Sequence, residues 1–313
     1  MSKRRMNDGT DREEAADGPL AGMATRRAFV RAAVHTIAGA ALLAACGDPE
    51  GRTATAGRPG GGTGGAGGAG GVGGSGGNGG SGGGGASAWA TGGTAAMVDP
   101  DAYPDPFASG GGACALTCAM TLGPCFGLSP IRRDVSEGYP GIPLRLVLRL
   151  VDVDGCTPVE GATVDVWHCS AAGLYSGDDV IDFCTTGDPD ARSHRFFRGT
   201  QSSDADGRVT FDTCFPGWYP GRAVHIHFRV VRGDEVSVVS QVFFPGDLVD
   251  EVFASVDDYV EAGAPDTSNE ADGFLGASSD PDAFILDVAR MADGAMLASK
   301  TVVLRSSTSA PQC

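Results

Sequence analysis

Positive charge is scarce in this chain. Its 313 residues carry 23 Lys and Arg against 39 Asp and Glu, a formal net charge of −16. The basic residues gather near the N-terminus, so the remainder is not built to bind nucleic acid or an anionic membrane surface. A long apolar run is also missing. The best stretch, 32–45, is interrupted by His35, Thr36 and Gly39 and is too short and too weakly apolar for a transmembrane helix. Helical periodicity is weak apart from short pieces such as 282–292, which is expected to be helical. Histidine is rare, with five residues in all, yet two of them stand at alternate positions in "PGWYPGRAVHIHFRV", 216–230.

Glycine is abundant, and most of the 50 Gly precede residue 95. From Gly57 to about Ala96 the sequence is low-complexity, "GGTGGAGGAGG" and variants. It cannot bury enough apolar area to offset the entropy of ordering, so a disordered, flexible tether is expected. About 45 such residues span roughly 35–40 Å root-mean-square. Ahead of it, Arg26 and Arg27 followed by Phe29 resemble a twin-arginine export signal. "LAAC", 43–46, resembles a lipobox, in which Cys46 takes a lipid and becomes the new N-terminus. The expected organisation is a signal over 1–46, a linker over 47–97 and one domain over 98–313. The expected location is the cell envelope, periplasmic or outer face, reached by the twin-arginine route and held by the lipid on Cys46. Asp48 lies one position too late for the usual inner-membrane retention signal, which leaves the choice of membrane open.

Without Cys46, eight cysteines remain: Cys114, Cys118, Cys125, Cys156, Cys169, Cys184, Cys214 and Cys313. An even number in an exported chain predicts disulfides, with the pairing open. "CALTCAMTLGPC", 114–125, is alternatively a thiolate metal site, but its spacing fits no common zinc pattern.

The body of the domain reads as β. In "IPLRLVLRLVDVDG" Leu144, Leu146, Leu148 and Leu150 face one way and Arg145, Val147 and Arg149 the other, the period of a half-buried strand. "ATVDVWH", "DADGRVTFDT" and "KTVVLR" read as further strands. "VHIHFRVV", "RGDE" and "VSVVSQVFF" read as a hairpin. Many short strands at regular spacing predict an all-β sandwich with long loops and short helical pieces.

In "VHIHF" Val224, Ile226 and Phe228 face one side, so His225 and His227 share the other, where alternate histidines can chelate one ion. The plain alternatives are a pair of half-exposed surface histidines and a structural zinc site. The Gly/Pro-rich turn "PGWYPGR" brings Tyr219 back towards them, and "DVWHCSAAGLYSG" delivers Tyr175 on a Gly-flanked loop. Trp167 reads as core, His168 as a packed, hydrogen-bonded residue, and His194 receives no role.

Together "VDVWHCSAAGLYSG", "FFRGTQSSDADGRVTFDTCFPGWYPGRAVHIHF" and "SQVFFPGD" resemble the intradiol ring-cleavage dioxygenases, in particular exported members of that family. The likeness runs from about Leu122 to Leu304, and the ordered Tyr, then Tyr-x5-His-x-His, is its specific part. The resemblance implies a non-haem ferric ion, Fe(III), held by Tyr175, Tyr219, His225 and His227. Phenolate is a hard anionic donor suited to a hard cation, and binding lowers the phenol pKa far below its free value. It further implies that a small aromatic diol binds as a dianion, displaces Tyr219 and reacts with O2 to give a cis,cis-muconate-type diacid. Arg222 matches the arginine that stabilises developing negative charge, and Gln241 matches a pocket glutamine. Asn269 and Asp272 fit a loop-bracing polar network. No basic cluster selects a carboxylated ring, and no oligomer interface is readable.

The sequence departs from the family's Glu-Gly-Pro-Tyr-Tyr-like stretch, which here reads "LGPCF", 122–126. A carboxylate and a phenol are gone, which alters the substrate pocket. A membrane-tethered, non-catalytic binding module for catechols, ferric chelates or polysaccharide on the same fold is the competing reading.

Overall fold

A computed structural model describes residues 88–110 and 114–313. The export signal, Cys46 and the tether up to residue 87 lie outside the described residues. Two four-stranded sheets form, as the alternating segments predict. The chain contributes β1 (Pro143–Asp152), β2 (Thr163–Trp167), β3 (Arg198–Ser202), β4 (Arg208–Cys214), β5 (His225–Arg232), β6 (Glu235–Phe243), β7 (Asp287–Arg290) and β8 (Met296–Leu304). One sheet has the order β4-β1-β8-β7 and the other β3-β2-β5-β6. Neighbours are antiparallel except β1 and β8. The leucines of β1, Val164 and Val166 of β2, Ile226, Phe228 and Val230 of β5, and Ala298, Val302 and Leu304 of β8 interdigitate between the sheets. The all-β sandwich is therefore the fold observed.

Short helices fill the connections. α1 (Asp182–Thr185) and α2 (Pro189–Ser193) lie between β2 and β3, and Asp188 caps α2 by accepting from the amides of Asp190 and Ala191. α3 (Gly246–Ser255) follows β6 and buries Val249, Val252 and Phe253 at helical spacing. α4 (Asp257–Val260) buries Tyr259, whose hydroxyl donates to the Phe215 carbonyl at 2.6 Å. Among the described residues no helix is long and apolar enough to cross a membrane.

Three expectations are corrected, and the one for the cysteines is met in part. The segment 282–292 is not a helix: a 3-10 turn, Pro281–Phe284, leads into β7, which pairs with β8. A helix that short is marginal alone, and the open edge of β8 offers a full ladder instead. β1 is not half-buried. Arg145 forms ion pairs with Asp212 at 2.8 Å and Asp101 at 2.9 Å, and Met97, Tyr103 and Phe107 pack over Val147. Packing begins before Val98, because Trp89 donates to Glu251 and lies 3.7 Å from the Arg290 guanidinium. Finally, six of the eight cysteines pair, Cys114–Cys156, Cys118–Cys313 and Cys125–Cys184, while Cys169 and Cys214 stay as buried thiols. The cysteines of "CALTCAMTLGPC" are thus disulfide partners and not metal ligands.

Candidate metal centre

Register places the site. Val166 lies opposite Phe228 in the core, so the next residues along, Trp167 and His227, face outward together, and Gln241 of β6 lies opposite His227. A row of Trp167, His227 and Gln241 thus crosses three strands on the outer face of the sheet. His225 sits two residues before His227 on the same face. Neither histidine is half-exposed: they are 3% and 1% accessible, covered by the loops that carry residues 122–126, Tyr175 and Tyr219. Gly123, in the left-handed region at φ 72°, lies so close that a Cβ there would meet His227 Cε1 at 3.0 Å. Trp167 stacks on the His227 ring, with centroids 4.9 Å apart.

The nitrogen atoms converge. His225 Nδ1 lies 2.6 Å from the Ala223 carbonyl, which assigns the proton to Nδ1 and leaves Nε2 as a lone pair. That Nε2 is 3.1 Å from His227 Nε2 and 3.3 Å from the Tyr219 hydroxyl. Burial, with Arg222 adding to it, lowers the His225 pKa to about 3. Burial, then His225 and Arg222, lowers that of His227 well below its usual value. Both imidazoles are therefore neutral and able to ligate. At 3.1 Å apart the two imidazole nitrogens are close enough to bind one ion together.

The phenols complete the cluster. The ring centroids of Tyr175 and Tyr219 are 5.7 Å apart. The Tyr175 hydroxyl is buried without a well-formed hydrogen bond. Burial raises both phenol pKa values, that of Tyr175 well above 10. Such phenols keep their protons unless a strongly charged cation enters. Among the described residues no three His, Cys, Asp or Glu side chains converge as a metal site, so a two-histidine, one-carboxylate set does not form. Two neutral imidazoles and two phenols, one of them fully buried, fit a hard trivalent ion.

Arg222 borders this cluster. Its Nη1 donates to the Tyr219 hydroxyl at 3.4 Å, Nε donates to Asp272 at 2.8 Å, and Nη2 donates to the Gln241 carbonyl oxygen. Burial would raise the Asp272 carboxyl, but Arg222 and the amides of Leu275, Ala223 and Phe274 outweigh it and hold the pKa below the usual range. Gln241 donates to the Thr121 carbonyl at 3.2 Å. Asn269 donates to the Phe244 carbonyl at 2.9 Å, bracing the loop as expected, whereas Asp272 also anchors Arg222. His168 is packed as read: it bonds Thr213 at 2.7 Å and the Cys169 carbonyl at 2.8 Å, and burial lowers its pKa to about 4. His194 lies on the surface beside Glu137.

Sequence reasoning missed Arg198, which is fully buried under Tyr175, its guanidinium carbon 5.9 Å from the ring centre. Its Nη2 donates to the carbonyls of Ser176 at 2.7 Å and Cys125 at 2.8 Å. Burial lowers its pKa to about 10, which still leaves it cationic at neutral pH. The available signal was an arginine set directly after two phenylalanines in "FFRGT".

The fold and the cluster define a β-sandwich protein with a buried imidazole–phenol site. The family described as Dioxygenase matches residues 129–280. An intradiol ring-cleavage dioxygenase from Tetranychus urticae is similar in structure, with a TM-score of 0.55 and 29% identity over 61% of this chain and 95% of that one. A second solved dioxygenase is 30% identical over 61% of this chain and 95% of its own, with a TM-score of 0.53. The protocatechuate 3,4-dioxygenase beta chain of Burkholderia cepacia is 33% identical over 135 residues, 38% of this chain and 54% of that protein. The chlorocatechol 1,2-dioxygenase of Pseudomonas sp. (strain P51) is 30% identical over 34% of this chain and 46% of that protein. The chain belongs to the intradiol ring-cleavage dioxygenase family. It spans about half the length of the curated relatives it matches.

Proposed function

We propose that this protein cleaves the ring of an uncharged catechol-type aromatic between its two hydroxylated carbons, adding both atoms of O2 to give a cis,cis-muconate-type diacid. The observation that carries this is the convergence on His225 Nε2 of His227 Nε2 at 3.1 Å and the Tyr219 hydroxyl at 3.3 Å, with Tyr175 beside them. Tyr175, Tyr219, His225 and His227 would hold a non-haem Fe(III). When bound, that ion supplies a Lewis-acidic centre at which a catecholate and O2 react.

The two phenols are not equivalent. Tyr175 is locked in a buried apolar cluster, whereas Tyr219 is only partly buried and has Arg222 at its hydroxyl. Tyr219 Oη would be the phenol that gives way to substrate and accepts one of its protons, with Arg222 Nη1 within 3.4 Å to receive it. Asp272 and Gln241 fix the guanidinium fork, so Arg222 presents its charge without reorganising. At the mouth, Phe183 lies edge-on to Tyr219 at 6.3 Å and Phe274 lies under the Arg222 guanidinium at 4.6 Å. Both rings are exposed, 51% and 41%, and suit an apolar aromatic better than a carboxylated one.

Incubation of the iron-loaded chain with catechol under 18O2 tests this reading. One 18O in each new carboxyl group of a muconate product is the expected result. Tight catechol binding without oxygen uptake would support the binding-module alternative. We further propose export by the twin-arginine route and a lipid on Cys46. Labelled fatty acid incorporated by the wild type and absent from Cys46→Ala is the expected result.

A further inference from the structure

We propose that the Cys125–Cys184 disulfide, together with Arg198, is the positioning element that holds Tyr175 as a metal ligand, an inference that rests on the ferric site proposed above. Tyr175 is unlike the other three side chains of the cluster. His225 is oriented by the Ala223 carbonyl, His227 by the Trp167 stack and Gly123, and Tyr219 by Arg222. The Tyr175 hydroxyl has only the Tyr219 hydroxyl, itself part of the cluster, beside it and no well-formed hydrogen bond to a fixed group. Its direction is therefore set by its backbone and by the packing of its ring.

That backbone is held in a closed cycle. The Tyr175 amide donates to the Cys184 carbonyl at 2.9 Å. Cys184 is bonded through sulfur to Cys125. The Cys125 carbonyl accepts from Arg198 Nη2 at 2.8 Å. Arg198 also donates through Nε and Nη2 to the carbonyl of Ser176, the residue after Tyr175, at 2.9 and 2.7 Å. Cys125 and Cys184 are each 3% accessible and lie in the same apolar cluster as the Tyr175 ring.

The cycle also ties the two walls of the site together. Gly123, two residues before Cys125, presses on His227, and Phe126, one residue after it, packs edge-on against Trp167 at 5.0 Å. The cysteine stands in "LGPCF", where the family resemblance placed a phenol. The covalent link therefore belongs to the segment in which this sequence departs from the pattern. Separating Cys125 from Cys184 frees the strap over His227 and the loop carrying Tyr175 at once.

The test uses the full chain with Cys125→Ala and Cys184→Ala, and a control with Cys114→Ala and Cys156→Ala. The control disulfide sits at the exit of β1, where Cys114 Sγ approaches the Asp152 carbonyl. Three readouts are compared: the visible band after ferric loading, the rate of iron release to a hydroxamate chelator, and the rise in melting temperature between iron-free and iron-loaded protein. Expected for the Cys125/Cys184 variant are a weaker, shifted band, iron release at least about tenfold faster, and a smaller rise on loading. The control is expected to melt earlier but keep the band and the release rate. A Cys125/Cys184 variant with wild-type band and release rate overturns the proposal and leaves the ferric site standing. A wild type that takes up no iron overturns both. Should the double alanine variant not fold, Arg198→Lys carries the test: it keeps a charge but cannot reach both carbonyls. Faster release is again expected, and wild-type release overturns the proposal.

Discussion

At the scale of single residues, burial explains most of the site. Two imidazoles at 3% and 1% exposure and a fully buried guanidinium are costly unless each has a task. Arg222 is expected to matter to chemistry more than to metal retention, because its hydrogen bonds go to the Tyr219 hydroxyl, Asp272 and Gln241. Arg222→Gln should lower kcat by about 10²–10³-fold while the iron content per protein stays near that of the wild type. His168 supplies a separate pH effect. Its folded pKa of about 4 lies below the ordinary 6.5, so the neutral form is favoured by folding. The stability this confers is fully present above pH 6.5 and is lost as pH falls towards 4, about 3 kcal/mol in all. Melting temperatures measured between pH 7 and 4 should fall less steeply in His168→Gln than in the wild type. Tyr219, His225 and His227 were legible because they share one short stretch whose strand period assigns their faces. Tyr175 was legible only through the family resemblance, since it stands 44 positions and two strands before Tyr219. Arg198 was not, because no local pattern says what a buried cation faces.

At the scale of elements, the site is a product of register. Trp167, His227 and Gln241 line up because β2, β5 and β6 pair as they do, and a slip of one residue would turn both histidines into the core. The strap 122–126 then closes the outer face. Gly123→Ala is expected to fail twice over, through its φ of 72° and through the contact with His227. A loss of about 1–2 kcal/mol in stability is expected from the backbone alone, and equilibrium dialysis should also show weaker iron binding. The Cys125–Cys184 disulfide spans 59 residues, which in a chain-entropy account stabilises the fold by about 4 kcal/mol. Strand alternation made β1, β2, β4, β5, β6 and β8 readable. β7 was misread as helix because its sequence is short and has no clean alternation, and only the edge of β8 decides its conformation. The covered outer face of β1 was also hidden, since Arg145 and Arg149 look solvent-facing until Asp101 and Phe107 are seen to reach them.

At the scale of the whole molecule, the charge of −16 sets a repulsive field for anions. A carboxylated catechol should therefore be a poor substrate whose kcat/KM rises as salt is added from low ionic strength to about 0.15 M, where screening acts over about 8 Å. The kcat/KM of neutral catechol should stay flat over the same range, and a dianionic product would be helped to leave. The central claim is that the imidazole–phenol cluster is a ferric ring-cleavage centre. It is tested most directly by the visible spectrum of the full chain loaded with Fe(III), before and after catechol is added without oxygen. A tyrosinate-to-iron band is predicted that moves to longer wavelength with catechol, decays when oxygen is admitted, and is largely lost in Tyr175→Phe. A protein that stays colourless after ferric loading, with His225 and His227 free to titrate, would contradict the account.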